Sequence, residues 1–265
     1  MQHPDALVVA LMALCAAIVL LGAWRARRGW RPYVRPIPGV AALEDAVGRA
    51  TELDRPVYFV MGASDVRDIA THAALAILEH VARLAAVLRT TLVALVRKPD
   101  VYPFTESVMR TAYRAADALE SFDPQGQVRY LSDAEVVYAL SVVRLVEDTQ
   151  PGGVLFFGSF DYTSLLMTEP GARLGVFQIA GDPMLGQVPF FVCTCDYALL
   201  GEEFFAASAL VSDNPALRGM IESQDAIKLL LMLLVLVGVA AGLLAALGVP
   251  GADAIFEHLT KYAAR

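Results

Sequence analysis

The chain has 265 residues, 57% of them hydrophobic and 18% charged, with 21 basic against 28 acidic side chains. The net charge of −7 is unevenly spread: a collar of Arg25, Arg27, Arg28, Arg31 and Arg35 carries +5, whereas residues 36–227 hold 13 basic and 25 acidic side chains, a net −12. So acidic a body repels phosphate backbones, which excludes nucleic acid as a partner, and three cysteines are too few for a disulfide framework.

In chain order, residues 6–23 form the first apolar run, free of charge and proline. At 1.5 Å per helical residue it is long enough to cross a hydrocarbon core of about 30 Å. A secretory signal peptide carries its positive charge before the apolar run. Here the arginines follow it, so the run reads as an anchor. Basic residues flanking a span stay on the inner side, which predicts an external N-terminus and a cytoplasmic domain after the collar. Trp24 and Trp30 stand among Arg25, Arg27, Arg28, Arg31 and Arg35, where amphipathic rings settle at headgroup level, so these seven residues are the expected membrane-interface set.

Residues 25–39 read as a basic linker ending in Pro36-Ile37-Pro38-Gly39, followed by a helix over 40–53 with Leu43, Ala46, Val47, Ala50 and Leu53 at helical spacing. Five short apolar runs then read as strands: 57–61, 91–96, 153–157, 174–179 and 188–193. Between and after them the helices predicted are 66–88, 102–119, 133–146, 162–169 and 199–211. Ser132 and Glu135 have capping-box spacing, and residues 120–127 read as the least ordered piece. The strand candidates are continuous rather than alternating, so helices should cover both sheet faces. That is an α/β fold with a mostly parallel sheet. Pro189 places the last strand at an edge or makes it begin after the proline, and Cys193 and Cys195, two apart and so on one face along a strand, read as buried reduced thiols.

A short helix over 214–228 leads into the second apolar run, residues 229–249, which carries no charge and returns the chain to the outside. The tail, 250–265, is then external, with Ile255, Phe256, Leu259 and Tyr262 at helical spacing along the outer surface. The domain expected between the spans covers residues 40–227, with spans at 1–24 and 228–249.

The common catalytic signatures are missing: no phosphate-loop pattern, no Gly-x-Gly-x-x-Gly after the first strand, no Gly-x-Ser-x-Gly and no His-Glu-x-x-His. His72 and His80 fall roughly 80° out of alignment on a helix, which argues against a metal pair. Open α/β sheets gather ligands beyond the carboxyl ends of their strands, where this chain has Gly62 to Asp65, Gly158 to Asp161, Gly181-Asp182 and Asp196. Two readings are open. Asp65, Asp161, Asp182 and Asp196 converge on a divalent cation, or Asp65 and Asp161 are simply N-caps of the following helices. Glu202 and Glu203 open the last helix, where the macrodipole favours acids.

The stretches Phe177-Gln178-Ile179-Ala180-Gly181, Val188-Pro189-Phe190-Phe191-Val192, Cys195-Asp196-Tyr197, Gly201-Glu202-Glu203 and Ser223-Gln224-Asp225, with Ile37-Pro38-Gly39 earlier, resemble a group of prokaryotic membrane proteins known as a domain of unknown function. The resemblance implies architecture, two membrane helices flanking a soluble α/β domain in a prokaryotic cell membrane, and no chemistry. Gln178, Asp196, Tyr197, Glu202 and Asp225 are the polar motif positions it singles out.

The sequence therefore predicts a non-enzymatic, membrane-tethered α/β module, an assembly scaffold or small-ligand sensor, with the bilayer, itself or other membrane proteins as partners and no cofactor. The competing reading is a membrane-bound, metal-dependent hydrolase or phosphotransferase. Candidate ligand-binding residues are Asp65, Asp161, Gln178, Asp182, Asp196, Tyr197, Glu202 and Asp225.

Overall fold

A computed structural model of the chain describes residues 6–28, 37–212 and 215–246. Trp30, Arg31 and Arg35 of the collar and the whole tail, with Ile255, Phe256, Leu259 and Tyr262, lie outside them. The described residues form two compact units: a helical pair, and an α/β unit from residue 37 to residue 212.

In the α/β unit the elements run α2 (Pro38–Glu52), β1 (Val57–Met61), α3 (Ile69–Leu88), β2 (Leu92–Val96), α4 (Tyr102–Ala115), α5 (Pro124–Gln127), β3 (Val128–Tyr130), α6 (Glu135–Thr149), β4 (Gly153–Phe157), α7 (Ser164–Leu174), β5 (Phe177–Asp182), α8 (Val188–Thr194), β6 (Tyr197–Leu200) and α9 (Glu202–Val211). All six strands are parallel, in the order β3-β2-β1-β4-β5-β6. This is the order of doubly wound dinucleotide-binding sheets, and its direction reverses between β1 and β4.

Every residue of β1, β2 and β4 is buried, as continuous apolar strands covered on both faces should be. Alternate side chains feed two cores. Phe59, Met61, Leu155 and Phe157 pack under α2, α3, α4 and α9, while Tyr58, Val60, Val154 and Phe156 pack under α6, α7 and α8. Phe157 is the pivot of the first core, stacked on Phe59 at 5.5 Å and on Phe204 of α9 at 6.3 Å between ring centroids.

Four local expectations are overturned. Residues 188–193 are helical, not a strand: Pro189 sits in the first turn of α8, where a missing N–H costs nothing, and Phe191 packs against Phe156 and Phe160. The last strand is β6, pairing Ile179 with Tyr197. Cys193 is consequently exposed on a helix, and Cys195 lies half-buried at its end, burial pushing its thiol up to about 12. The run at 174–179 starts late, because α7 continues through Pro170 to Leu174 and ends at Gly175, whose φ of +68° is left-handed. The Ser132–Glu135 capping box does not close: Ser132 Oγ accepts from Ala134 N, and Glu135 turns to Arg97 and Thr163. Residues 120–127 are built, with Asp123 accepting from Gln125 N and Gly126 N to start α5, which delivers the chain into β3.

The other unit pairs α1 (Ala6–Arg27) with α10 (Pro215–Ala246), two helices packed along each other, with Ser223 Oγ donating to Ile18 O at 3.3 Å. Two described helices are long and apolar enough to cross a membrane by length and composition. One is α3, whose inner face is core of the α/β unit; the other is the segment Ser223–Leu244 of α10, where Leu229, Met232, Leu233, Val235 and Leu236 are exposed.

Candidate functional site

The carboxyl edge of the sheet is where the fold predicts a ligand, and its central crevice is shut. Gly62 N donates to Phe157 O at 2.9 Å and Ala63 N to Ser159 O at 2.7 Å, so the chains leaving β1 and β4 keep pairing beyond the sheet. Gly62 and Gly158 meet back to back: a Cβ on Gly62 would lie 2.6 Å from Ser159 N and 2.8 Å from Gly158 Cα, and Gly158 has φ +129°. Only glycine fits both positions. From α6, Tyr138 Oη donates to Met61 O at 2.7 Å and stands 3.0 Å from Leu95 O, bolting the ends of β1 and β2 together; burial raises its phenol pKa.

Asp182, the last residue of β5, is fully buried. Its carboxylate accepts from Phe160 N at 2.9 Å and Met184 N at 2.6 Å, tying the loop after β4 to the loop after β5. Burial pushes its pKa up to about 6; the two amide hydrogen bonds oppose the shift, and the charges of Asp161 and Asp68 add to it. Both oxygens are committed to backbone.

Arg97, immediately after β2, is the basic centre of this edge. Its Nη1 lies 3.7 Å from Glu135 and 3.8 Å from Asp161, and its Nε donates to Asp133 O at 3.1 Å. Lys98 beside it pairs with Asp133 at 2.7 Å, and this hydrogen bond and charge lower the Asp133 pKa. The acid-rich turns drew attention in the sequence; the signal for Arg97 and Lys98 was the same, a polar pair directly after an apolar strand.

The four aspartates do not converge. Asp65 is exposed and accepts from Arg67 N, while the actual cap of α3 is Asp68, accepting from Ala70 N. Asp161 is likewise no cap: α7 starts after Thr163, and the Asp161 carboxylate faces Arg97. Asp196 precedes β6 and therefore lies at the opposite, amino edge, where its Oδ2 accepts from Gln178 N at 2.8 Å. Among the described residues no three His, Cys, Asp or Glu side chains form a group that could hold a metal ion.

Of the other motif positions, Gln178 is a buried clamp, its Nε2 donating to Thr168 O of α7 and Thr194 O of α8. Tyr197 lies edge-on to Phe177 at 6.1 Å, and Glu202 is exposed in the first turn of α9. Asp225 belongs to the other unit, on α10, exposed and 4.0 Å from Lys228; the buried member of that motif is Ser223. In the collar, Arg28 lies over the Trp24 ring at 3.8 Å, and Arg25 and Arg27 occupy the last turn of α1.

Open space lies at the amino edge. A groove of about 730 Å³ runs between the ends of α3 and α4, and one of about 310 Å³ is lined by Arg49, Arg55 and Phe177, with the Arg49 guanidinium 4.6 Å above the Phe177 ring. Sequence reasoning missed this edge because it looked only beyond the carboxyl ends of strands.

Fold and site thus define a doubly wound α/β protein with a closed switch point and a separate pair of helices. The model of a family described as a domain of unknown function (DUF6754) matches residues 2–250, and the chain belongs to that family. No curated protein and no solved structure matches it.

Proposed function

We propose that the protein is a two-pass membrane protein whose α/β unit works as an assembly module on the cytoplasmic face of a prokaryotic cell membrane, with both termini outside. The observation that carries this reading is large apolar side chains left exposed in both units. On α10, residues 229–246 carry no charge and present an apolar surface that hydrocarbon or another apolar helix satisfies. The arginine collar supports the orientation.

On the α/β unit several exposed apolar residues lie on α6 and α7. Thr163 Oγ1 donates to Glu135 at the start of α6, and Arg173 near the end of α7 pairs with Glu147 near the end of α6, so the two helices run side by side in register. On these two neighbouring helices Val136, Val137 and Leu140 of α6 and Leu165 and Leu166 of α7 are all more than 40% exposed. Large apolar side chains left exposed on adjacent helices favour a protein contact there.

In full-length protein with Cys15, Cys193 and Cys195 replaced by serine, a Val137→Cys variant should cross-link to a second polypeptide in membranes. Arg144→Cys, at the charged end of the same helix, should not. Equal cross-linking at both positions, or none at either, removes the assembly reading.

The metal-dependent hydrolase reading draws no such support, since Asp196 stands at the far edge and both Asp182 oxygens are held by backbone amides.

A further inference from the structure

The groove between the ends of α3 and α4 lies wholly within the α/β unit and is independent of the membrane reading. Its volume, about 730 Å³, falls in the range of small-molecule sites. Four charged side chains line it: Arg89 and Arg114, and Asp117 and Glu120. All four are exposed, and none forms an ion pair or side-chain hydrogen bond among the described residues. By contrast, Arg97, Arg110 and Arg173 each pair with a carboxylate. Here two positive and two negative groups face one space and leave each other alone.

The wall between them is built rather than incidental. Tyr113 of α4 is 2% exposed, and its ring packs on Phe122 at 5.2 Å. Its hydroxyl oxygen accepts from Gln127 Nε2 at 2.9 Å, so its own hydrogen is directed elsewhere, and no acceptor among the described residues takes it. Gln127 is fixed in turn: its Oε1 accepts from Asp123 N at 2.9 Å, and its second Nε2 hydrogen has no acceptor among the described residues. Both side chains line the groove. A buried phenol donor without an acceptor is costly unless the space beside it supplies one.

We propose that this groove binds a small zwitterion, up to the size of a short peptide. The arginines Arg89 and Arg114 and the Tyr113 hydroxyl would take its anionic group, and Asp117 and Glu120 its ammonium group. Guanidinium and phenol donors converge on an acceptor-rich anion, and the equal number of carboxylates discriminates against a simple anion, which they repel. The same chemistry is offered by a free peptide and by the phosphoethanolamine headgroup of a lipid.

The test is titration calorimetry of the full chain in detergent with trialanine and, separately, glycerophosphoethanolamine. Binding of trialanine is expected, weakened at least tenfold by Arg114→Gln and by Asp117→Asn. Trialanine amide should bind wild type more weakly and be indifferent to Arg114→Gln, and N-acetyltrialanine should be indifferent to Asp117→Asn. Both substitutions are on exposed side chains, and unchanged thermal unfolding confirms that the variants fold. Binding of glycerophosphoethanolamine alone, with the same losses, assigns the site to a lipid headgroup. No binding of either probe, or binding that ignores both substitutions, overturns the proposal.

Discussion

The two edges of the sheet differ in the opposite sense to the one that strand order predicts. At the carboxyl edge, where a β3-β2-β1-β4-β5-β6 sheet ordinarily opens to a nucleotide, Gly62 and Gly158 zip the switch point shut and Asp182 ties two loops together. That edge is also strongly acidic, with Asp65, Asp68, Asp100, Asp133, Glu135, Asp161, Asp182, Glu202 and Glu203 against Arg67, Arg97 and Lys98. The amino edge, made of helix ends that are usually featureless, holds the open grooves and unpaired arginines. Strand order tells where a sheet diverges; whether the divergence stays open is decided by the two residues that follow the central strands.

The largest effect expected is on the closed edge. Gly158→Val places a branched side chain at φ +129° against the Gly62 backbone, 2.8 Å away even for a bare Cβ. The loss should reach roughly 4 kcal/mol, read by chemical denaturation of the full chain. A variant that unfolds like wild type would mean that the crevice opens at little cost, and the contrast between the edges would fail.

Asp182 sharpens the comparison through pH. Its folded pKa of about 6 lies above its ordinary value of 3.8, so between these values the folded chain holds a proton that the unfolded chain has released. Stability from this group is therefore lost as pH rises from about 4 to about 6. Over that window wild type should lose about 2 kcal/mol relative to Asp182→Asn, whose side chain does not titrate. A flat difference between the two proteins would place the carboxylate in water.

A smaller effect belongs to the open edge. Asp123→Ala removes the cap of α5 and the turn that presents Gln127 to Tyr113, with an expected cost of about 1 kcal/mol. A cost as large as that of Gly158→Val would show both edges equally rigid.

Much of this fold was legible in the sequence because continuous apolar runs permit few alternatives. Residues 57–61 and 153–157 are strands to the residue, and the all-parallel arrangement follows from their burial on both faces. The failure at 188–193 has a definite cause: Phe190, Phe191 and Val192 have the composition of a strand, and only tertiary packing on Phe156 and Phe160 makes them helical. That one shift moved Asp196 to the other edge and dissolved the carboxylate cluster that was one of the two readings. The site was less legible than the fold. Arg97 follows an apolar strand, a signal the sequence reading passed over, and the Tyr113–Gln127 pair is 14 residues apart and meets because Asp123 turns the chain.

The central claim, a cytoplasmic α/β unit held by two spans, is tested most directly by cysteine accessibility in intact cells. On a background with Cys15, Cys193 and Cys195 replaced by serine, a membrane-impermeant maleimide should label Ala264→Cys from outside and reach Gln125→Cys, which is exposed on the α/β unit, only after lysis. Labelling of Gln125→Cys in intact cells would contradict the account.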